Sequence, residues 1–268
     1  MTSSTRLPTV FVPHGGGPCF FMDWTMGPPD TWDRLAEFLR AFDEVVGARP
    51  KAIVVVSGHY ESDVIEITSS PAPPMLFDYY GFPPHTYELS YPAAGSPELA
   101  KEIGHLLGDA GIAHRYDSER GFDHGVFVPM LLMYPDADIP VVQMSLRSDL
   151  DAEFHLSLGK AIAPLRDEGV LILGSGMSYH NMRRFGTPNA LDESIEFDNW
   201  LTEACTAEDP RRRESLAGWA KAPSARAAHP REEHLLPLMV VAGAAAEPGA
   251  RVFNGQVIGA QVSAYRFG

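Results

Sequence analysis

Cysteine is scarce, basic residues are outnumbered, and nothing in the chain is apolar for long. The two cysteines, Cys19 and Cys205, allow at most one bridge, and a chain of 268 residues can bury core enough without it. A reducing cytoplasm is the expected compartment. Lys and Arg number 21 against 35 Asp and Glu, a formal charge of −14. Such a chain lacks the cations that displace counterions from nucleic-acid phosphates or hold a protein on an anionic membrane. No nucleic-acid or membrane partner is expected. The opening stretch MTSSTRLPTVFVPHGGG has no apolar run ahead of a small-residue cleavage site. No apolar stretch approaches the ~18 residues of a membrane span. Repeats and low-complexity segments are missing as well. A composition of 45% hydrophobic and 21% charged residues excludes disorder and fibrous repeats.

Apolar runs bounded by turn residues predict strands at about 8–13, 51–57, 63–68, 139–145, 169–174 and 256–265. Ala52-Ile53-Val54-Val55-Val56 does not alternate, which suits a strand covered on both faces. Helix-like stretches fall at about 31–47, 97–110, 125–134, 151–167, 191–206 and 231–246. Ser96 reads as a helix cap with Pro97 at the first helical position, and Asp149 or Asp151 as a later cap. Strands alternating with helices predict an α/β fold, with helices flanking a mainly parallel or mixed sheet. The Pro/Gly-rich stretches 69–97 and 207–230 carry aromatic residues that can pack, so they read as excursions over a single domain spanning 1–268 rather than as linkers.

What is plentiful is histidine, ten in all, several beside Gly, Pro or Ser at strand ends. Val12-Pro13-His14-Gly15, Ser57-Gly58-His59-Tyr60 and Gly176-Met177-Ser178-Tyr179-His180 each place an imidazole after an apolar strand, and His234 precedes an apolar helical run. In open α/β sheets ligands bind beyond the carboxyl ends of the strands, so these imidazoles have a reason to meet. One such histidine alone is more often a polar cap; several at equivalent positions favour a shared metal, because unpartnered buried imidazoles are costly. Imidazole suits Zn, Fe, Cu or Ni rather than Ca or Mg. Gly15-Gly16-Gly17 matches neither phosphate-binding fingerprint, and Gly174-Ser175-Gly176 is not a nucleophile elbow. Asp123-His124 opens a helix, either as a catalytic imidazole facing a cleft or as a simple cap. His85, His105, His114 and His155 read as surface or packing residues, and Phe20, Phe21, Tyr79, Tyr80 and Tyr87 as pocket walls or as packing.

The ordered set Pro13-His14-Gly15-Gly16-Gly17-Pro18, Ser57-Gly58-His59-Tyr60-Glu61, Asp123-His124-Gly125, Gly174-Ser175-Gly176 with His180-Asn181, and Glu233-His234-Leu235-Leu236-Pro237-Leu238 resembles the class III extradiol ring-cleavage dioxygenases, in particular their 4,5-DOPA branch. The resemblance runs over nearly the whole chain. It implies a mononuclear metal at the strand ends, Fe(II) for activity with Zn(II) possible as a bound ion. By the same resemblance His14, His59 and His234 are the metal ligands, His180 is an acid/base group or a fourth ligand, and His124 contacts substrate or oxygen. The protocatechuate branch uses a glutamate where this chain offers Glu232, Glu233 and His234 together, so Glu233 stays open as a ligand. The implied reaction inserts O2 into a catechol-type aromatic beside its diol. Two other readings remain at this point: a zinc-dependent hydrolase, whose bound water ionises near ~7, and a metal-bearing binding protein without chemistry.

Overall fold

β-Branched runs set the centre of the molecule and the flanking helices cover it. The computed structural model describes residues 6–268; the first five residues, part of the stretch read above for an export signal, lie outside the described residues. In chain order the elements are β1 (Thr9–Pro13), α1 (Asp33–Arg40), α2 (Phe42–Val46), β2 (Ala52–Ser62), β3 (Ile65–Thr68), α3 (Pro97–Asp109), β4 (His114–Asp117), α4 (His124–Met133), β5 (Val141–Arg147) and α5 (Ala152–Ile162). There follow β6 (Val170–Gly176), α6 (Pro188–Thr206), α7 (Arg211–Ala217), α8 (Ala225–Ala228), α9 (Leu236–Gly243), β7 (Gly249–Val257) and β8 (Ala260–Phe267).

One mixed sheet holds the strands in the order β4-β3-β5-β2-β6-β1-β8-β7. Its centre, β5-β2-β6-β1, is parallel. β3 is antiparallel to β5, and the β7-β8 hairpin adds antiparallel to β1. β1 and β6 are buried along their whole length, as strands covered on both faces should be. Side chains alternate across β6: Ser175 faces α4, whereas a Cβ on Gly174 would meet the Pro237 carbonyl oxygen at 2.5 Å, on the α9 side. Both covering helices are apolar on nearly every side and buried nearly throughout. Among the described residues no helix is long and apolar enough to cross a membrane.

Local chemistry explains the ends that were legible. The Ser96 hydroxyl accepts from the Leu99 N–H at 3.2 Å with Pro97 in the first turn, and of the two candidate aspartates it is Asp151 that caps α5, accepting from Phe154 N–H at 2.6 Å. Other boundaries are corrected. The predicted strand 256–265 is a hairpin, with Ile258 and Gly259 at positive φ in its turn. The helix 31–47 breaks at Ala41 into α1 and α2, and 151–167 ends in a 3-10 turn after Ile162. The predicted helix 231–246 begins only at Leu236, where Pro237 can occupy the first turn; residues 231–235 form a loop. His59 does not follow its strand but sits inside β2, in a bulge.

Candidate metal centre

The parallel register carries the imidazoles to one edge. β1 ends at Pro13, and the His14 N–H extends its ladder to the Gly176 carbonyl at 3.0 Å. β2 pairs with β5 up to Val56 and resumes at Glu61, so Ser57, Gly58, His59 and Tyr60 bulge against a single residue of β5. Bulges re-aim side chains, and this one turns His59 toward His14. The loop before α9 brings His234, which can approach only because two glycines leave room. A Cβ on Gly58 would lie 3.0 Å from the Glu233 carbonyl and 3.3 Å from the His234 Cα, and one on Gly176 would collide with the His234 carbonyl.

The outcome is three convergent ring nitrogens: His59 Nε2 is 3.1 Å from His14 Nε2 and 3.2 Å from His234 Nε2. Their partners decide which of these nitrogens carry protons. The Ser175 hydroxyl donates to the Gly125 carbonyl, so it accepts from His14 Nδ1–H at 3.0 Å, leaving a lone pair on His14 Nε2. His234 Nδ1–H donates to Glu233 Oε1 at 3.0 Å, leaving a lone pair on its Nε2 too. A proton on His59 Nε2 can serve one of these neighbours; a cation among the three serves them all. Nitrogens ~2.1 Å from a common ion stand roughly 3.0–3.4 Å apart at coordination angles of about 90–110°, the spacing of both His59 contacts, and all three ligand atoms lie within 4.8 Å of one another. The donor set therefore fits a mononuclear metal.

Electrostatics favour the neutral imidazoles that a metal requires. Burial, then the charge of the neighbouring rings, pushes His14 and His234 well below the ordinary imidazole range, and His59 is held to about 4 by burial first and by His124. Glu233 runs the other way. Burial alone would raise its pKa, but hydrogen bonds from His180 and His234 outweigh it and keep the carboxyl ionised far below its ordinary value.

His180 stacks on His234 with ring centroids 3.4 Å apart, and its Nδ1 faces the same Glu233 oxygen at 3.4 Å. Its Nε2 has no protein partner among the described residues. His180 belongs with Glu233 and His234 rather than with the three convergent nitrogens. His124 stands on the other side, its ring centroid 3.9 Å from that of His59. Both its backbone N–H and its Nδ1–H donate to Asp78 Oδ1, at 2.9 and 2.7 Å, while Asp78 Oδ2 lies 3.7 Å from His59 Nδ1. Asp123 does not cap α4. It is fully buried and accepts from Ser57 Oγ, Gln143 Nε2 and Arg120 Nη2, and Arg120 also donates to the His59 carbonyl at 3.1 Å. Glu233, read from sequence as a rival ligand, instead grips two imidazoles from behind.

Three groups escaped the sequence. Asp78 lies in a Pro/Tyr/Phe-rich stretch with no local pattern to mark it. Ser175 carries no nucleophile signature, and its role exists only through the register that sets it beside Ser57. Arg120 acts on a carbonyl, which no side-chain motif reports. Of the aromatic candidates, Phe20, Phe21 and Tyr87 pack against the core, Tyr79 is buried with its ring 5.8 Å from His124, and Tyr80 is 91% exposed. His155 is fully buried between Arg147 N–H and the Asp151 carbonyl, a packing role as expected. A cavity of about 470 Å³ opens beside His180 and Glu233.

Residues 9–266 match the family described as the catalytic LigB subunit of aromatic ring-opening dioxygenase. The chain is 43% identical over 248 residues to a 4,5-DOPA dioxygenase extradiol of Beta vulgaris, covering 89% of this chain and 87% of the relative. It is 34% identical to a dioxygenase, TasH, of Hapsidospora irregularis, covering 99% and 88%. The crystal structure of an uncharacterized protein from Escherichia coli K12 superposes with a TM-score of 0.79 at 29% identity, covering 98% of this chain and all of that one.

Proposed function

Because the chain belongs to the family of the catalytic LigB subunit of aromatic ring-opening dioxygenase and is an extradiol ring-cleaving enzyme, we propose that it opens a catechol-type, DOPA-like ring beside its diol at the three-imidazole centre. The observation that carries this reading is the convergence of the His14, His59 and His234 Nε2 atoms, with an imidazole nitrogen on either flank that has no partner among the described residues. A zinc-dependent hydrolase and a non-catalytic metal carrier find no support among the relatives.

In this reading His14, His59 and His234 hold the ion. Fe(II) bound there supplies Lewis acidity toward the diol and the electron transfer that O2 requires; Zn(II) would fill the same nitrogens without redox chemistry. The remaining steps belong to the chain. His180 Nδ1 faces the Glu233 carboxylate at 3.4 Å, which favours a proton on that nitrogen, and the opposite nitrogen then has a lone pair that can take a hydroxyl proton from the diol and return it after the ring opens. Asp78 fixes the His124 Nδ1–H in the same way, leaving its Nε2 for substrate or oxygen on the other flank. Ser175, Asp78 and Glu233 are the partners that set ring orientation around such a centre. Both cysteines are free and buried, which supports a cytoplasmic location.

Anaerobic reconstitution with Fe(II), followed by a panel of catechols, should give oxygen uptake and a new visible absorbance. No uptake with any catechol removes the assignment. Role is read from metal content: His14→Ala, His59→Ala or His234→Ala should lose the ion, whereas His180→Ala should keep it and lose turnover. Loss of the ion from His180→Ala would make His180 a fourth ligand.

A further inference from the structure

The cavity beside His180 is richer in positive charge than the chain around it. Its lining includes Arg183, Arg184 and Arg231 against a single carboxylate, Glu233, in a protein whose formal charge is −14. Two of the guanidinium groups are committed. Arg184 pairs with Glu193, and Arg231 forks onto both oxygens of Glu61 at 2.5 Å each. Arg183 has no carboxylate partner among the described residues. Arg231, 3.4 Å from the Glu233 carboxylate, offsets part of the charge that Glu233 would present to an arriving anion.

The backbone between the acid/base imidazole and this free guanidinium is held firmly. Asn181 Oδ1 accepts from the Arg183 N–H at 3.1 Å, Asn181 Nδ2 donates to the Ala227 carbonyl at 2.7 Å, and the His180 N–H donates to the Ala228 carbonyl at 3.0 Å. One short clamped turn therefore carries both groups to the same cavity. At about 470 Å³ it has room for the short side chain of a ring held at the neighbouring centre. Met182, 72% exposed at the rim, offers apolar surface to the methylenes of such a side chain.

We propose that this cavity is a subsite for an anionic substituent of the aromatic diol and that Arg183 receives its carboxylate, making Arg183 the residue that selects substrates by side-chain charge. The proposal rests on the ring-cleavage reading above and adds to it where the far end of the substrate lies. Guanidinium meets carboxylate through two parallel N–H donors, so charge and geometry are both read.

The test uses a matched pair, 3-(3,4-dihydroxyphenyl)propionate and 4-propylcatechol, titrated anaerobically into the Fe(II)-loaded protein so that affinity is read without turnover. The wild type should prefer the carboxylate. Arg183→Gln should lower the ratio of the two affinities roughly 2- to 5-fold, the range expected when one solvent-exposed charge pair is removed, and Arg183→Lys should lower it less. Thermal unfolding of Arg183→Gln should match the wild type, since this guanidinium has no carboxylate partner to lose. An unchanged affinity ratio in Arg183→Gln, or a wild-type preference for 4-propylcatechol, overturns the proposal while oxygen uptake still upholds ring cleavage. A protein that binds neither diol and consumes no oxygen overturns both.

Discussion

Ser175→Ala is the substitution that tests the proton placement most directly. The hydroxyl makes two bonds in a fully buried position: it donates to the Gly125 carbonyl and accepts from His14 Nδ1–H at 3.0 Å. Its removal leaves both groups without a partner, at about 1–3 kcal/mol each, so the metal-free protein should lose about 2–6 kcal/mol before relaxation. That is a large share of a typical stability of about 5–15 kcal/mol. The His14 ring also becomes free to move its proton to Nε2, where it blocks a ligand position. Loss of such an orienting partner costs about 10- to 100-fold in metal affinity. Denaturant unfolding of the chelated protein reads the first quantity, and competition with a chromophoric chelator reads the second. Ser145→Ala is the control: Ser145 is equally buried and accepts from Glu66 N–H at 2.8 Å, but touches none of the clustered imidazoles. It should lower stability without moving metal affinity. If Ser175→Ala binds the ion as tightly as Ser145→Ala does, the proton placement argued for His14 is wrong.

Gly176→Ala should displace the His234 loop, because the new methyl meets the His234 carbonyl and approaches Phe11 Cε2 at 3.0 Å. A displacement of roughly 1 Å at a metal ligand costs on the order of 10²-fold in turnover, read by oxygen uptake against metal content; wild-type values for both would contradict the close approach. Glu233→Gln keeps one acceptor for two imidazoles and removes the charge that Arg231 shares. Metal affinity and turnover should each fall about 10- to 100-fold, measured by chelator competition and steady-state kinetics. Acid stability gives a further check, read at two buried histidines outside the three convergent nitrogens. Burial lowers His155 to about 4 and His229 to about 3, so between those values and the ordinary ~6.5 the unfolded chain binds protons that the folded one refuses. Stability is then fully present above pH ~6.5 and drains away as the pH falls toward 4, by about 2 kcal/mol per histidine at pH 5. Urea unfolding at pH 7 and pH 5 measures it, and His155→Gln should show a smaller fall; an equal fall would place the lost protons elsewhere.

Periodicity and punctuation were enough for the α/β class, because runs such as Ile53–Val56 and Leu171–Leu173 bury both faces whatever their neighbours are. Caps at Ser96 and Asp151 were legible because their bonds close within three residues. The hairpin at 256–265 was not, since its turn uses Ile258 at positive φ, a residue with no turn propensity of its own.

For the site, the sequence by itself determined the chemistry on offer: which imidazoles lie beside turn residues next to apolar runs, and that segments distant in the chain carry them. Only the tertiary structure decided what each one does. Asp78, Ser175 and Glu233 fix the rings through bonds whose length depends on sheet register, a bulge in β2 and two glycines that admit the His234 loop, and none of these is a property of a local segment. A side chain's type is written in the chain, but the direction of its lone pair is set by whichever distant group holds its proton.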